Sequence, residues 1–280
     1  MELRELQLYK LEILKEITEI CERHGLKYVL SSGTLLGAIR HNGYIPWDDD
    51  VDISLMWNDY LELLNVLRED CPDRVFVQNL WTDKNYPCLW TQLRVNGTTS
   101  MPKKLAALDM HWGICIDIFP MFSVSDDDEK FEKQKKAFRL ARALLAKELM
   151  CAKGESPTGA QRLLNMLPNG LRHGMVKGIL KKYAYQSSAD EYMCDSYNAV
   201  IRRKYRYADM ADVEKHSFEG YMMNVPRGYD AILTGIYGDY MTPPPPEKRG
   251  GHELNLGDTI IDVNNVYRVY RRELLVDNSV

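Results

Sequence analysis

The sequence predicts an α+β protein, a small mixed sheet flanked by helices with a helical insertion. Three observations lead there. Short β-like runs, Lys27-Tyr-Val-Leu30, Asp50-Val-Asp-Ile53, Val75-Phe-Val77, Leu89 to Val95 and Gly113-Ile-Cys-Ile-Asp-Ile-Phe-Pro120, alternate with helical patterns and turn residues. Residues 3–24 repeat apolar side chains at helical spacing. From Asp126 to about residue 205 the composition shifts to Lys, Arg, Leu and Ala, a helix-rich insertion. With 280 residues the chain can bury a sizeable core as one large domain or a core with a helical attachment.

Each element follows in order. Leu3, Leu6, Tyr9, Ile13, Leu14, Ile17, Ile20 and Cys21 form one apolar stripe that Gly25 terminates, so the first helix packs on the sheet or presents a stripe to a partner. After the Asp50–Ile53 strand, Asn58 or a residue near it caps a helix through Tyr60, Leu63, Leu64 and Leu67, closed by Cys71-Pro72. Residues 97–112 read as a loop whose Lys103 and Lys104 either reach an anionic substrate or are simply solvated. Ser125 and Asp126 to Glu129 open the helical insertion, with acids at the positive helix end. Its bases alternate with Leu163, Leu164, Met166, Leu167, Leu171, Met175, Ile179 and Leu180, a face that packs on its own domain or lies on a membrane surface. Pro243 to Pro246 make a stiff extended arm leading to Lys248, Arg249 and His252.

Bulk properties narrow the function. A net charge of -4 gives no general attraction to nucleic acid. The N-terminus lacks an apolar signal region and no segment is long and apolar enough to span a bilayer, which points to the cytoplasm. Six cysteines without C-x-x-C or zinc spacing read as free thiols of a reducing compartment, and the formal sequon Asn96-Gly97-Thr98 then reads as a turn.

The chemistry concentrates in Ser32 to Ser54, where Asp48, Asp49, Asp50 and Asp52 sit in a segment that otherwise reads as core. On a strand, Asp50 and Asp52 share one face about 7 Å apart and raise each other's pKa unless a divalent cation neutralises them. Such hard oxygen ligands suit Mg²⁺, with Mn²⁺ as the alternative. A Ca²⁺ loop is excluded, because Ile53 and Asp59 stand where Gly and Glu are required. A solvated acidic turn is the bland alternative. Gly33-Thr34 reads as a strand-to-helix turn that lets the backbone approach phosphate, and Arg40 is the nearby candidate for phosphate contact. Asp117, alone in an apolar strand, would complete a three-carboxylate site as metal ligand or base, unless it is a hydrogen-bonded structural residue.

Gly33-Thr-Leu-Leu-Gly-Ala-Ile-Arg-His41 followed by Gly43-Tyr-Ile-Pro-Trp-Asp-Asp-Asp-Val-Asp-Ile53 resembles the signature of the LicD family of phosphocholine transferases, relatives of fukutin-type proteins within the nucleotidyltransferase-fold group. The resemblance recurs at Gly113–Pro120 and from His216 to Arg249, and is weakest in the middle. It implies a nucleotidyltransferase-like core at 1–125, an acceptor-side helical insertion at 126–205 and a segment at 206–280 that returns to the core. It further implies catalytic and metal-binding roles for Asp50, Asp52 and Asp117, with Gly33, Thr34, Arg40, Asp48, Lys248, Arg249 and His252 around the phosphates. The expected reaction moves phosphocholine or a similar group from CDP-choline or another CDP-alcohol to a sugar hydroxyl of a glycan or lipid-linked glycan. Teichoic acid, lipopolysaccharide and capsule precursors are the acceptors implied, met in the cytoplasm or at the inner membrane face. A D-x-D glycosyltransferase and a non-catalytic binding protein of the same fold remain the alternatives.

Overall fold

The structure is a computed structural model and describes residues 1–187, 192–195 (backbone only), 204–250 and 258–277. Helix α1 (Leu3–Arg23) opens with a reciprocal capping box between Glu2 and Glu5 and closes at Gly25, whose φ of +66° favours glycine. Its stripe buries Leu6, Ile13, Leu14 and Ile17 completely. Next come β1 (Tyr28–Leu30), α2 (Ser32–His41), β2 (Asp52–Met56), α3 (Trp57–Val66), β3 (Val75–Gln78), β4 (Thr91–Val95), β5 (Thr99–Pro102) and β6 (Cys115–Val124). The helical region contributes α4 (Asp128–Ala152), α5 (Ala160–Met166) and α6 (Asn169–Tyr183). The chain then runs through β7 (Tyr192–Asp195), β8 (Tyr205–Arg206), α7 (Tyr207–Ala211), β9 (Val213–Phe218), β10 (Tyr221–Pro226), α8 (Tyr229–Tyr237), β11 (Thr259–Asp262) and α9 (Tyr267–Asp277).

The main sheet has the order β1-β2-β6-β4-β3, with β7 added along the C-terminal half of β6 and β8 beside β7. β2 and β6 run parallel, and the remaining pairs are antiparallel. This is the mixed sheet with flanking helices that the sequence predicts. Its register places Asp52 opposite Asp117, Asp117 opposite Gln92, and Gln92 opposite Gln78. Directly opposed residues point to the same face, so a polar row crosses four strands. Ile53 and Ile118, one residue along and therefore on the other face, belong to the main core with α1 and α3. A second core joins Phe122 and Val124 of β6 to α4 and α6, where Phe122 stacks on Phe138 with centroids 4.7 Å apart. Buried Arg172 ties α6 to α4 through Glu148 and the Leu144 carbonyl (2.8 Å). Among the described residues no helix is long and apolar enough to cross a membrane.

Several boundaries differ from the sequence expectation. α3 follows β2 directly with Met56 at its N-cap, so Asn58 lies inside the helix and caps nothing. The 97–112 stretch contains β5, paired with β11 from the far end of the chain, and a 3₁₀ turn at Lys103–Leu105. The helices of the insertion end at Tyr183, after which β7 enters the sheet. β2 starts at Asp52 and not at Asp50, because β1 stops pairing at Leu30 and the Asp52 N–H turns to the Thr34 hydroxyl. α2 starts at Ser32, so Gly33 and Thr34 form its first turn and do not precede it.

Two glycines test this packing. A Cβ on Gly37 would sit 2.4 Å from the Gly43 carbonyl oxygen, which lets α2 press against the returning chain. A Cβ on Gly178, inside α6, would meet nothing within 4 Å. Urea unfolding is expected to show Gly37→Ala destabilising by about 1–3 kcal/mol and Gly178→Ala stabilising by about 0.5–1 kcal/mol. Equal effects would mean that α2 is not seated on the Gly43–Ile45 backbone.

Candidate active site

The acidic segment has no regular structure of its own and is held from outside. Asn42 ends α2 in the left-handed region, and the chain turns back beneath Gly37. From α1, Gln7 donates to the Asp48 carbonyl (2.8 Å) and Lys10 Nζ to the Asp49 carbonyl (2.7 Å). From the β9–β10 hairpin, Glu219 accepts the Tyr44 N–H (3.0 Å) and pairs with Arg4. Glu219 and Gly220 form a two-residue turn with φ of +52° and +82°, the geometry that suits a tight hairpin. The Asp117 N–H donates to the Val51 carbonyl (2.8 Å), joining the segment to β6.

Five carboxylates gather on this frame. One oxygen from each of Asp48, Asp49 and Asp50 lies within 4.8 Å of the others, a donor set able to share one hard cation. Asp49 is fully buried, Asp48 and Asp50 half-buried, and Asp52 is 5% exposed. Burial, reinforced by the charges of Asp117, Asp50 and Asp48, pushes the Asp52 pKa well above the usual carboxylate range, and Lys10 opposes the shift. Asp117 is pushed up to about 6 by burial and by Asp50, against hydrogen bonds from Gln92 and Trp90. Trp90 Nε1 donates to Asp117 Oδ1 at 3.1 Å. Lys10 Nζ, on a side chain 1% exposed, stands 3.9 Å from Asp50 Oδ1.

The turn before the acids serves them directly. Asp48 Oδ2 lies 2.4 Å from where a Gly33 Cβ would be, so glycine makes room for that carboxylate at the start of α2. Thr34 is buried and its hydroxyl accepts the Asp52 N–H at 2.9 Å, which positions the strand start. Ser32 holds a φ of +50°, a strained conformation for a non-glycine residue beside a site, and Ser31 Oγ is buried without a hydrogen-bond partner.

Two guanidiniums, those of Arg40 and Arg249, lie near each other and near Trp47, the residue before the acids in the sequence. Arg40 Nη1 donates to the Tyr240 carbonyl (2.6 Å), and its pKa is lowered by burial and by the nearby Arg249. The proline arm returns Arg249 to the site, its guanidinium 4.6 Å from the Trp47 ring centre and its Nε donating to the Pro244 carbonyl. Lys248 is exposed on the 3₁₀ turn at Pro246–Lys248, and His252 lies outside the described residues. Lys103 pairs with Asp258 at 3.4 Å and Lys104 is exposed. The chain thus carries an acidic cluster able to take a hard cation and, near Trp47, the guanidiniums of Arg40 and Arg249, which have the chemistry to bind phosphate.

Sequence reasoning missed Lys10, Gln7, Glu219, Trp90 and Gln92. Lys10 had a signal, since it stands between Leu6 and Leu14 at helical spacing on the buried face of α1. Gln92 and Arg94 alternate with Leu93 and Val95 as a solvent face would, and only the sheet order shows what they line.

Comparison with known proteins agrees with this architecture. Residues 25–146 match the family model described as LicD/FKTN/FKRP, nucleotidyltransferase domain. The chain is 28% identical over 260 residues to the lipopolysaccharide cholinephosphotransferase LicD of Haemophilus influenzae, covering 90% of this chain and 96% of that protein. A Rickettsia prowazekii protein is 47% identical over 62 residues, 22% of this chain and 23% of its own length. Human ribitol 5-phosphate transferase FKRP is 42% identical over 48 residues, 17% of this chain and 10% of that protein. The chain is thus similar to a LicD protein over most of its length, and its residues 25–146, which carry Asp48, Asp49, Asp50, Asp52 and Asp117, are the stretch that matches the LicD/FKTN/FKRP nucleotidyltransferase domain.

Proposed function

We propose that this protein transfers a phosphorylated alcohol, phosphocholine foremost, from a CDP-activated donor to a sugar hydroxyl of a cell-surface glycan precursor. The observation that carries the reading is the opposed Asp52–Asp117 pair, both with raised pKa, inside a domain shared with two relatives that are named as transferases of phosphoryl-alcohol groups. The carboxylate-rich donor set fits Mg²⁺ or Mn²⁺, held by Asp50 and Asp52 with Asp48 or Asp49 adjoining and Asp117 as a further ligand. A bound cation would supply charge neutralisation for the diphosphate.

The remaining chemistry falls to the protein's own groups. Where Asp117 is not itself a ligand of the cation, its carboxylate, oriented by Trp90 and Gln92, is suited to take the proton of the acceptor hydroxyl. That oxygen attacks the phosphorus bearing the alcohol, the phosphoanhydride bond breaks, and CMP leaves with the bridging oxygen. Arg40 and Arg249, with Lys248 and, by its place in the sequence, His252, meet the phosphates. Gly33 and Thr34 hold the acids that face them. The helical region exposes Leu163, Met166 and Leu171 beside Arg162, which supports peripheral contact with the membrane that carries a lipid-linked acceptor, on its cytoplasmic face.

Purified protein with CDP-choline, Mg²⁺ and a crude glycolipid extract is expected to release CMP. Asp52→Asn and Asp117→Asn should each reduce release on the order of 100-fold or more. CMP release that survives Asp52→Asn would sink the assignment, and nucleoside diphosphate release from a nucleotide-sugar donor would favour glycosyl transfer.

The raised carboxylates also set a pH dependence. Because their folded pKa exceeds the unfolded value, the folded state keeps protons that the unfolded chain has lost. Stability without metal should therefore fall as pH rises from about 4 to about 6, the Asp117 value. Mg²⁺ competes with those protons, so its increment in Tm should be absent at the acid end and full above neutrality. An increment equal at both ends, or one that persists in Asp52→Asn, would count against a metal at these carboxylates.

A further inference from the structure

A cavity of about 1220 Å³ lies away from the acidic cluster, beside β3 at the end of the sheet. Phe76 of β3 forms part of its wall, stacked on His111, which in turn packs against Tyr267 of α9. Phe76 lies opposite Arg94, and Gln78 opposite Gln92, so the cavity opens on the sheet face that bears Asp52 and Asp117. β3 stands two strand spacings from β6, on the order of 10 Å. A hydrogen-bond chain spans the interval. Gln92 bonds to Asp117, Arg94 Nη2 donates to Gln92 and its Nε to Gln78 (both 2.6 Å), and Gln78 Nε2 donates to Asp83 (2.8 Å) in the cavity wall.

Its charge opposes that of the whole protein. Five cations, Lys84, Lys177, Arg268, Arg271 and Arg272, line it against two carboxylates, Asp83 and Asp109, in a chain of net charge -4. Arg271 is spoken for by Asp109 at 2.8 Å, and Asp83 accepts from Gln78 and the His111 N–H. Lys84, Lys177, Arg268 and Arg272 have no carboxylate partner among the described residues. Burial lowers the pKa of His111 and His173, so the positive character comes from permanent cations. At the rim Trp81 is 47% exposed, an aromatic face open to a sugar ring. The volume exceeds that of a typical small-ligand pocket of about 300–1,000 Å³, which favours an oligomer over a single sugar.

We infer that this cavity binds the phosphate-bearing saccharide portion of the acceptor, with the cations on phosphate and Trp81 on a sugar ring, so that a hydroxyl further along the chain reaches Asp117. The inference rests on the transferase reading for the word acceptor, and on the cavity alone for the ligand class.

Binding without donor or Mg²⁺ separates the two. Calorimetry would compare a pentasaccharide carrying one phosphate, its neutral counterpart, inorganic phosphate and CMP, using wild type, Lys177→Ala/Arg272→Ala, Trp81→Ala and Asp52→Asn. Both cations are exposed, so their removal leaves the fold intact. The phosphorylated pentasaccharide should bind at least about tenfold tighter than the other three probes. The double variant should lose about tenfold, Trp81→Ala should lose affinity too, and Asp52→Asn should bind as wild type. A double variant with unchanged Kd, a neutral pentasaccharide or inorganic phosphate that binds equally well, or CMP as the ligand sensitive to the double variant would each overturn the inference. In turnover the double variant should raise KM for acceptor and leave kcat unchanged. Saccharide binding without CMP release in any assay would keep the cavity and remove the transferase reading.

Discussion

Three carboxylates within 4.8 Å of one another, Asp48, Asp49 and Asp50, beside the opposed and buried Asp52 and Asp117 that feel their charge, are the constraint around which the molecule is arranged. Each ionised group raises the cost of ionising the next, and desolvation adds to it. One buried ammonium, Lys10, offsets part of that cost from α1. The rest of the frame fixes backbone: Gln7 and Lys10 take carbonyls of Asp48 and Asp49, Thr34 takes the Asp52 N–H, and Glu219 takes the N–H of Tyr44. A segment with no strand or helix partners of its own is thereby held by a helix that precedes it by some forty residues and a hairpin that follows it by about 170. Such a segment is rigid where a free acidic loop would spread apart, and a rigid acidic set favours a cation with little reorganisation.

Much of the frame is legible in local pattern, because amphipathic spacing and capping are properties of neighbouring residues. The α1 stripe, the apolar β6 run with its single Asp117 and the helices after Asp126 all follow from spacing alone. What resisted reading is non-local. Asp52 and Asp117 are 65 positions apart and meet only because β2 and β6 run parallel and in that register. β5 looks like a loop until β11 arrives from the far end to pair with it. Asn58 looks like a cap, yet β2 passes into α3 with Met56 in that place, so propensity yielded to the chain's path. In the sequence Gly33 suits the approach of a phosphate, and the structure gives it a second reason, the room taken by the Asp48 carboxylate.

Charge is divided between regions of the chain. The matched stretch at 25–146 holds the five site carboxylates together with Arg40 and Lys84, while Arg249 and the cavity residues Lys177 and Arg272 come from segments beyond it. An acidic cluster by itself repels a diphosphate or a phosphorylated glycan, even with a cation bound, at distances shorter than the Debye length. The cations that offset this repulsion cannot sit among the carboxylates without pairing to them and cancelling the site, as Lys10 already does in part. Separate supports resolve the conflict. The proline arm keeps Arg249 against the Trp47 ring, and α6 and α9 hold theirs across the breadth of two strands. On the proposed reading, opposite charges placed on separate supports act on one substrate without neutralising each other.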